Sequence, residues 1–364
     1  KRMRDNMAKQ RKPKTAIVCA WRKGETDLAE TVASATAAIF DGAQIITVED
    51  TAAQGPGRTR HRGIEHAGDA EIIIIIDAHM RFDYGSLSAM AHYAAEKGGV
   101  CCPLTFHNAD CKFDVSPYYG ARIVYRAKDS RTYTALAGKW SRESSGGPRG
   151  CVMGGCYAFR RDWYYEVGQP LAMLPGWGCD EEALSIASWM SGVTPHCLPV
   201  RVAHRYRERP PWNCMSSDFA AVYAGRMALV HAVVTEATAR RELEAWTRDG
   251  VPEGVPACVS PEAERFRLAL LKQPRKWADW RAQVCEPDEF DGVQDRAPKP
   301  VDTPARRTPV QQLITPLSGV RCTHCNSVHD PIKLKVLHTY PNGSRRHKCG
   351  ICGNFFISIF RATV

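Results

Sequence analysis

Residues 57–79 read GRTRHRGIEHAGDAEIIIIIDAH, in which an arginine-rich stretch leads to a short helix around 64–67 and then to a strand at 71–76. The run of isoleucines is too short to span a membrane and is typical of a strand buried on both faces. Asp77 and His79 follow the strand directly. This order predicts a parallel sheet covered by helices, with polar groups at the carboxyl ends of its strands.

The flanking segments continue the alternation of strands and helices. Before the isoleucine strand, the sequence predicts strands at 15–20 and 43–48 around an alanine-rich helix at 26–40. After it, the sequence predicts helices at 86–97 and 181–191, strands at 100–104 and 154–159, and an irregular stretch at 107–150 that covers the site. Helical segments at 220–246 and 261–284 follow. The whole pattern is that of an α/β fold.

Length and composition indicate how the chain is organised. Its 364 residues suit one large and one small domain. We predict a basic disordered arm at 1–12, a large α/β domain at 13–250, a helical segment with a proline-rich linker at 251–320, and a small β domain at 321–364. The basic N-terminal segment lacks the apolar core of a secretory signal, and the sequence has no membrane-length apolar run. We therefore expect a cytoplasmic protein with no membrane partner.

Acidic side chains gather at the predicted strand ends: Glu49 and Asp50 follow the second strand, and Asp77 follows the third. Residues two apart in an extended segment point the same way, so Asp77 and His79 can reach one cation. Oxygen and nitrogen ligands suit Mn²⁺ (or Mg²⁺), which can bridge a diphosphate leaving group. The alternative for this motif is a capping aspartate beside an incidental histidine.

Four blocks of the sequence resemble, in order, the family 2 glycosyltransferases. They are residues 57–79, GGCYAFRRDWYYEVG at 154–168, GWGCDEEALSIASWMSG at 176–192, and VAHRYR at 202–207. The Asp-x-His form and the WGC-acid segment are most similar to polypeptide N-acetylgalactosaminyltransferases, although the lectin-like C-terminal domain of that family is absent from this sequence. The resemblance covers roughly residues 15–210 and implies a GT-A fold, a Rossmann-like nucleotide-diphospho-sugar transferase domain.

The resemblance also implies which residues carry the chemistry. Asp77, His79 and His204 would ligate the divalent cation, which is expected to be Mn²⁺ or Mg²⁺. Glu181 would be the general base that accepts the proton of the attacking hydroxyl, with Asp180 as the second candidate. The alternative for both acids is an ordinary negative charge at a helix N-terminus.

Donor-binding residues are expected on three segments, and the donor is expected to be a UDP-sugar. By resemblance, Trp177 and Gly178 form a lip over the sugar, and either Glu49 or Asp50 contacts the nucleoside. The guanidinium groups of Arg58, Arg60 and Arg62 match phosphate oxygens and are candidates for the diphosphate. The alternatives are a core position for Trp177 and a solvated basic loop for the arginines.

The C-terminal segment carries two CxxC pairs, which predict a structural zinc site. Cys322 and Cys325 precede the hairpin-like KLKVLHTY and PNGS segments, and Cys349 and Cys352 follow them. Four thiolates complete a tetrahedron around Zn²⁺ and leave no open position, so the predicted module is a β zinc ribbon. A redox pair and unrelated cysteines are the alternatives.

The remaining question is the acceptor. The formal net charge of +10 suits a polyanionic partner, although it also suits simple solubility. Basic and aromatic residues around the CxxC pairs are typical of nucleic-acid binding. The leading hypothesis is therefore transfer to a hydroxymethylated pyrimidine in bacteriophage DNA, which would place the protein in the host cytoplasm. The alternatives are a protein or glycan acceptor with the ribbon as a docking module, and an inactive GT-A-like nucleic-acid-binding protein.

Overall fold

The structure is a computed structural model that describes residues 11–128, 133–142, 146–205, 218–248 and 260–290, together with five short strands between residues 320 and 358. The chain forms two compact units, Lys1–Asp295 and Arg296–Val364. In the described residues, no helix is both long enough and apolar enough to cross a bilayer.

One mixed sheet of eight strands organises the first unit. The strands are β1 (Thr15–Trp21), β2 (Gln44–Glu49), β3 (Ile72–Asp77), β4 (Met80–Phe82), β5 (Cys101–Asn108), β8 (Gly147–Pro148), β9 (Cys156–Arg160) and β10 (His196–Arg205). Their order in the sheet is β2–β1–β3–β9–β5–β10–β4, and β8 pairs with β10. Pairing gives β2, β1, β3, β5 and β10 one common direction, whereas β9, β4 and β8 run the opposite way. The prediction of a parallel sheet therefore holds for five strands and is wrong for β9, which the chain enters from the edge where the parallel strands end.

Helices cover both faces of this sheet. They are α1 (Leu28–Ala38), α2 (Pro56–Glu65), α3 (Ser86–Lys97), α4 (Arg161–Glu166), α5 (Asp180–Met190), α6 (Asp218–Val233), α7 (Ala237–Arg248), α8 (Pro261–Leu271) and α9 (Trp277–Gln283). Ile72, Ile74 and Ile76 pack in a core with residues of α1 and α3. Ile73 and Ile75 belong to a second core, which includes residues of α2, α5, α8 and α9. Because alternate side chains enter different cores, β3 is apolar at every position.

Several sequence-based boundaries differ from the structure. The stretch predicted to be irregular contains two paired strands, β6 (Ala121–Lys128) and β7 (Tyr133–Trp140), and β11 (Glu289–Phe290) adds to β6. The single helix predicted at 220–246 is two helices, α6 and α7, separated near a β-branched run that favours extended backbone. Pro274 separates α8 from α9, because proline lacks the N–H that a continuous helix requires.

The arginine-rich stretch is helical, since α2 begins at Pro56, a residue suited to the first turn.

The described residues of the second unit form five short antiparallel strands. β12 (Val320–Arg321) pairs with β13 (Val328–His329), and β14 (Val336–Thr339), β15 (Arg345–Lys348) and β16 (Phe355–Ser358) form a three-stranded sheet. Cys322, Cys325, Cys349 and Cys352 lie outside the described residues. The zinc ribbon therefore stays a prediction.

Candidate active site

Three predicted metal ligands meet at the carboxyl edge of the sheet. Asp77 ends β3, His79 follows two residues later, and His204 lies near the end of β10. One ligand atom from each residue lies within 4.8 Å of the others. His204 Nε2 is 3.3 Å from an Asp77 carboxylate oxygen, and the His79 and His204 rings are 4.9 Å apart. The fold thus brings together residues that are more than a hundred positions apart in the sequence.

This donor set fits a divalent cation. It offers one carboxylate and two imidazoles, which suits Mn²⁺ and related ions. Glu25, whose side chain is 2% exposed, places a carboxylate oxygen 3.4 Å from His79 Nδ1. A carboxylate behind an imidazole orients the opposite ring nitrogen toward a metal. The buried Nδ1 of His204 has no hydrogen-bond partner among the described residues.

Arg60 links Asp77 to Asp180 at the start of α5. Its side chain is only 5% exposed, and its guanidinium donates to both Asp77 and Asp180. It also donates to the Tyr157 hydroxyl at 3.0 Å. Burial alone would lower the pKa of Arg60, but the neighbouring acids raise that pKa above its ordinary value. Arg60 is therefore a buried bridge between carboxylates rather than an open phosphate site.

The same bridge holds Asp77 ionised. Burial would raise the pKa of Asp77, but Arg60 and His204 more than offset that effect and lower the pKa below its ordinary value. An ionised carboxylate is the form that binds a cation.

Gly155 connects Asp77 with Glu181. A Cβ at Gly155, whose φ is +66°, would lie 2.2 Å from an Asp77 carboxylate oxygen, so only glycine fits there. The backbone N–H groups of Gly154 and Gly155 donate to Glu181 at 3.0 and 3.2 Å. Glu181 therefore lies on the far side of this glycine pair from the metal ligands.

The two candidate bases have different surroundings. Asp180 is 4% exposed and accepts from Arg60 and from the Tyr157 hydroxyl, so its carboxylate is already engaged. Glu181 accepts backbone hydrogen bonds through one oxygen. Burial, reinforced by repulsion from Asp180 and Glu182, raises the pKa of Glu181 well above its ordinary value. A raised pKa makes a carboxylate a stronger base.

Glu49 and Asp50, the residues predicted to contact the nucleoside, lie at the end of β2 and in the turn that follows it. Asp50 is buried and accepts from the backbone of Gln54 at 2.8 Å and Gly55 at 3.0 Å, and from Arg22 at 3.1 Å. This carboxylate fixes the turn that leads into α2. Glu49 is half-buried and is the more exposed acid of the pair.

The two other arginines of α2 make separate contacts. Arg58 donates to the Ala172 carbonyl at 3.4 Å, and Arg62 donates to the Glu49 carbonyl at 3.0 Å. Arg60 does not share one phosphate clamp with Arg58 and Arg62, because residues two apart on a helix point in different directions, and Arg58 and Arg62 contact different carbonyls.

The predicted lip is an exposed loop that is hydrogen-bonded to the turn after β2. Trp177 is 63% exposed, so the alternative of a core position is wrong. Gly176 donates from its backbone to the Gln54 carbonyl at 2.9 Å, and Gly178 has a φ of +93°. A Cβ at Gly55 would meet the Gly176 backbone at 2.2 Å, so this close approach requires glycine.

Sequence reasoning missed a set of rings beside the metal ligands. His107, at the end of β5, is paired in register with His204, and the two rings are 4.9 Å apart. The Trp140 ring is 5.5 Å from His107 and 4.6 Å from Tyr118. Burial, together with His204 and His79, lowers the pKa of His107 to about 4. The position of His107 at a strand end was the available signal.

The comparison with protein families agrees with this geometry. Residues 24–168 match the family model described as Glycosyl transferase family 2. Together with the mixed, mostly parallel sheet, this match indicates a GT-A-like α/β fold.

Several solved structures align with this chain. GalNAc-T7, in a structure with UDP, GalNAc and Mn²⁺, aligns with a TM-score of 0.55 and 16% identity over 76% of this chain and 57% of that chain. TarS 1–349 of S. aureus, in complex with UDP-GlcNAc, has a TM-score of 0.42 and 10% identity over 74% of this chain and 81% of that one. The mannosyltransferase PcManGT of Pyrobaculum calidifontis, with GDP-Man and Mn²⁺, has a TM-score of 0.40 and 13% identity over 76% and 84%.

The likeness to GalNAc-T7 concerns the fold, and this chain spans little more than half of the GalNAc-T7 chain, 57% of its length.

Proposed function

We propose that this protein is a metal-dependent glycosyltransferase that moves a sugar from a UDP-sugar to an acceptor hydroxyl. One observation carries the proposal: the cluster of Asp77, His79 and His204 lies across Gly155 from the carboxylate of Glu181, and Asp77, His79 and Gly155 belong to the stretch that matches the glycosyl transferase family 2 model. A divalent cation, Mn²⁺ or Mg²⁺, would stabilise the negative charge that develops on the diphosphate leaving group.

Glu181 is the residue that accepts the proton of the attacking hydroxyl in this proposal. Its raised pKa and its position across Gly155 from Asp77 support that role. Asp180 instead holds the start of α5 through its pairing with Arg60. Donor binding would use the Trp177–Gly178 lip over the sugar and Glu49 beside the nucleoside, with Asp50 fixing the turn. Arg58 and Arg62 stay candidates for the diphosphate, whereas the pairing of Arg60 with carboxylates favours a positioning role.

For the acceptor, we propose a hydroxymethylated pyrimidine in bacteriophage DNA. The net charge of +10 favours a polyanion, and the basic segments around the four cysteines favour a Zn²⁺-stabilised nucleic-acid-binding ribbon. The protein would then act in the host cytoplasm, where both the DNA and nucleotide sugars are available.

Labelled nucleotide sugars test both parts of the proposal. Full-length protein is incubated with UDP- and GDP-sugars, with Mn²⁺ or EDTA, and with plain DNA, hydroxymethylated DNA or a protein acceptor. We expect transfer from a UDP-sugar to hydroxymethylated DNA, and loss of that transfer in EDTA. If no nucleotide sugar is cleaved under any condition, the protein is not a glycosyltransferase. Transfer to protein but not to DNA would instead refute the acceptor.

A further inference from the structure

A row of aromatic rings leads away from the metal ligands along the edge of the sheet. We define the aromatic row as His107, Tyr118 and Trp140. His107 is next to His204, and Trp140 and Tyr118 follow at ring distances of 5.5 and 6.4 Å from His107. Each step is the spacing of rings in contact. The row therefore extends from the metal ligands outward over the neighbouring surface.

Backbone hydrogen bonds fix the row in place. Thr105 and Tyr118 exchange backbone hydrogen bonds at 3.0 and 2.8 Å, two residues before His107 on β5. Ser141, next to Trp140, accepts from Tyr119 at 2.9 Å and donates to Gly120 at 3.0 Å. The segment that carries Tyr118 is consequently bonded to β5, and the segment that carries Trp140 is bonded to that of Tyr118. Such a surface is formed in advance of binding, which lowers the entropy that binding costs.

Helix α5 is hydrogen-bonded to β7, the strand that carries Trp140. Glu182, the neighbour of the proposed base Glu181, accepts from the backbone N–H of Gly138 at 2.9 Å. Gly138 precedes Trp140 by two residues on β7, so β7 is held against the start of α5 at one point and against His107 at the next. A molecule resting on the aromatic row therefore lies beside the metal ligands, on a strand that also contacts the start of α5.

A cationic group stands at the outer end of the row. The exposed Arg142 has its guanidinium carbon 4.1 Å from the centre of the Tyr118 ring and donates to the Tyr118 hydroxyl at 2.7 Å. An arginine stacked on a ring still offers N–H donors at its edge, and those donors match phosphate oxygens. The surface thus combines flat rings near the reaction centre with a phosphate-binding group farther out.

We propose that the aromatic row, with Arg142, is the acceptor subsite and that it binds one pyrimidine base of a nucleic acid by stacking. This inference rests on the proposed function and adds the place where the acceptor binds. The base lies against Trp140, with its hydroxymethyl group toward the metal ligands and the adjoining phosphate at Arg142, which Tyr118 holds in place. A flat heterocycle with a flanking phosphodiester matches both features, because stacking is available to every base and the charge serves the backbone.

Binding to two short strands tests the proposal. One is a labelled pyrimidine oligonucleotide with one central hydroxymethylcytosine, and the other lacks only that base while keeping every phosphate. Affinities are measured by fluorescence anisotropy with the full chain, UDP and Mn²⁺. Since stacking on one aromatic side chain changes affinity by about tenfold or more, Trp140→Ala should weaken binding of the intact strand about tenfold and leave binding of the abasic strand unchanged. Trp140→Phe should retain most of the affinity.

Two further variants keep the test decisive. Tyr84→Ala removes an aromatic ring that is 83% exposed and lies outside the row, and it should change neither affinity. Trp140→Leu repeats the test if Trp140→Ala does not fold. Wild-type protein that binds the intact and abasic strands equally, or ring variants that weaken both strands alike, would overturn the proposal.

A parallel measurement separates this inference from the proposed function. Hydrolysis of the UDP-sugar by the wild-type protein without acceptor measures the proposed function alone. If wild type cleaves no nucleotide sugar, the proposed function fails whatever the strands do. If the donor is cleaved but a glycan, rather than the intact strand, shows the Trp140 dependence, the pyrimidine assignment fails alone.

Discussion

Arg60→Met leaves two acids without the cation that they share in the folded protein. Loss of the cation costs more at Asp180 than at Asp77. The Asp180 side chain is only 6% exposed, whereas the Asp77 side chain is 24% exposed and is partly stabilised by water. Removing one partner of a buried ion pair costs about 3–5 kcal/mol. We expect a destabilisation of this size, most of it from Asp180. For a domain of this size it corresponds to a fall of about 6–20 °C in the unfolding midpoint.

Denaturant unfolding and thermal unfolding of matched variants measure this effect. Arg58→Met is the control, since Arg58 lies on the same helix and makes one contact of 3.4 Å with a carbonyl, and it should cost about 0.5 kcal/mol or less. Arg60→Met combined with Asp180→Asn should recover much of the lost stability, because the buried charge is removed together with its partner.

The pH dependence of the Arg60→Met effect has a defined sign. The pKa of Asp77 is lowered in the folded protein, so its ionised form contributes stability above the ordinary aspartate range and loses it as the pH falls. The difference in stability between wild type and Arg60→Met should therefore be largest at neutral pH and shrink below about pH 4. A loss smaller than about 1 kcal/mol at neutral pH, or a double variant no more stable than Arg60→Met, would refute the bridging role.

Three further predictions concern catalysis and the second unit. Asp77→Ala should abolish divalent-ion-dependent transfer while the fold persists, as judged by circular dichroism. Asp83→Ala, at a half-exposed acid outside the metal-ligand cluster, should retain activity. Glu181→Gln should reduce turnover by about 10²–10⁴-fold with donor binding kept, and Glu182→Gln, which keeps an oxygen for Gly138, should not. Because the pKa of Glu181 is raised, the acid limb of the wild-type rate profile should lie above the ordinary glutamate pKa, and an acid limb at that ordinary value would contradict the assignment. Truncation before Arg321 should leave donor hydrolysis intact and raise the KM for long hydroxymethylated DNA most at low salt, whereas an equal KM at every salt concentration would argue against a nucleic-acid role for the ribbon.

The sequence alone predicted the features that depend on local order. A strand of isoleucines followed by an acid predicts a buried strand whose carboxyl end faces a site, because both faces of the strand must be covered and ligands bind beyond strand ends. The two-residue spacing of Asp77 and His79 is likewise a local property, and the motif around His204 was recognised by resemblance. The sequence therefore predicted all three candidate metal ligands, and the structure brings one ligand atom of each within 4.8 Å of the others.

Only the tertiary structure decided which groups meet across the chain. Arg60 was a candidate for the diphosphate because a guanidinium suits either a phosphate or a carboxylate. In the fold α2 packs against β1 and β2, and the Arg60 side chain reaches Asp77 and Asp180. His107 and Trp140 carry no local signal for their contact, since it depends on the register of β5 with β10 and on the path of β7. Local pattern fixes which face of an element is apolar, whereas long-range register fixes which polar groups share a site, and a shift of one residue would turn those side chains to the other face.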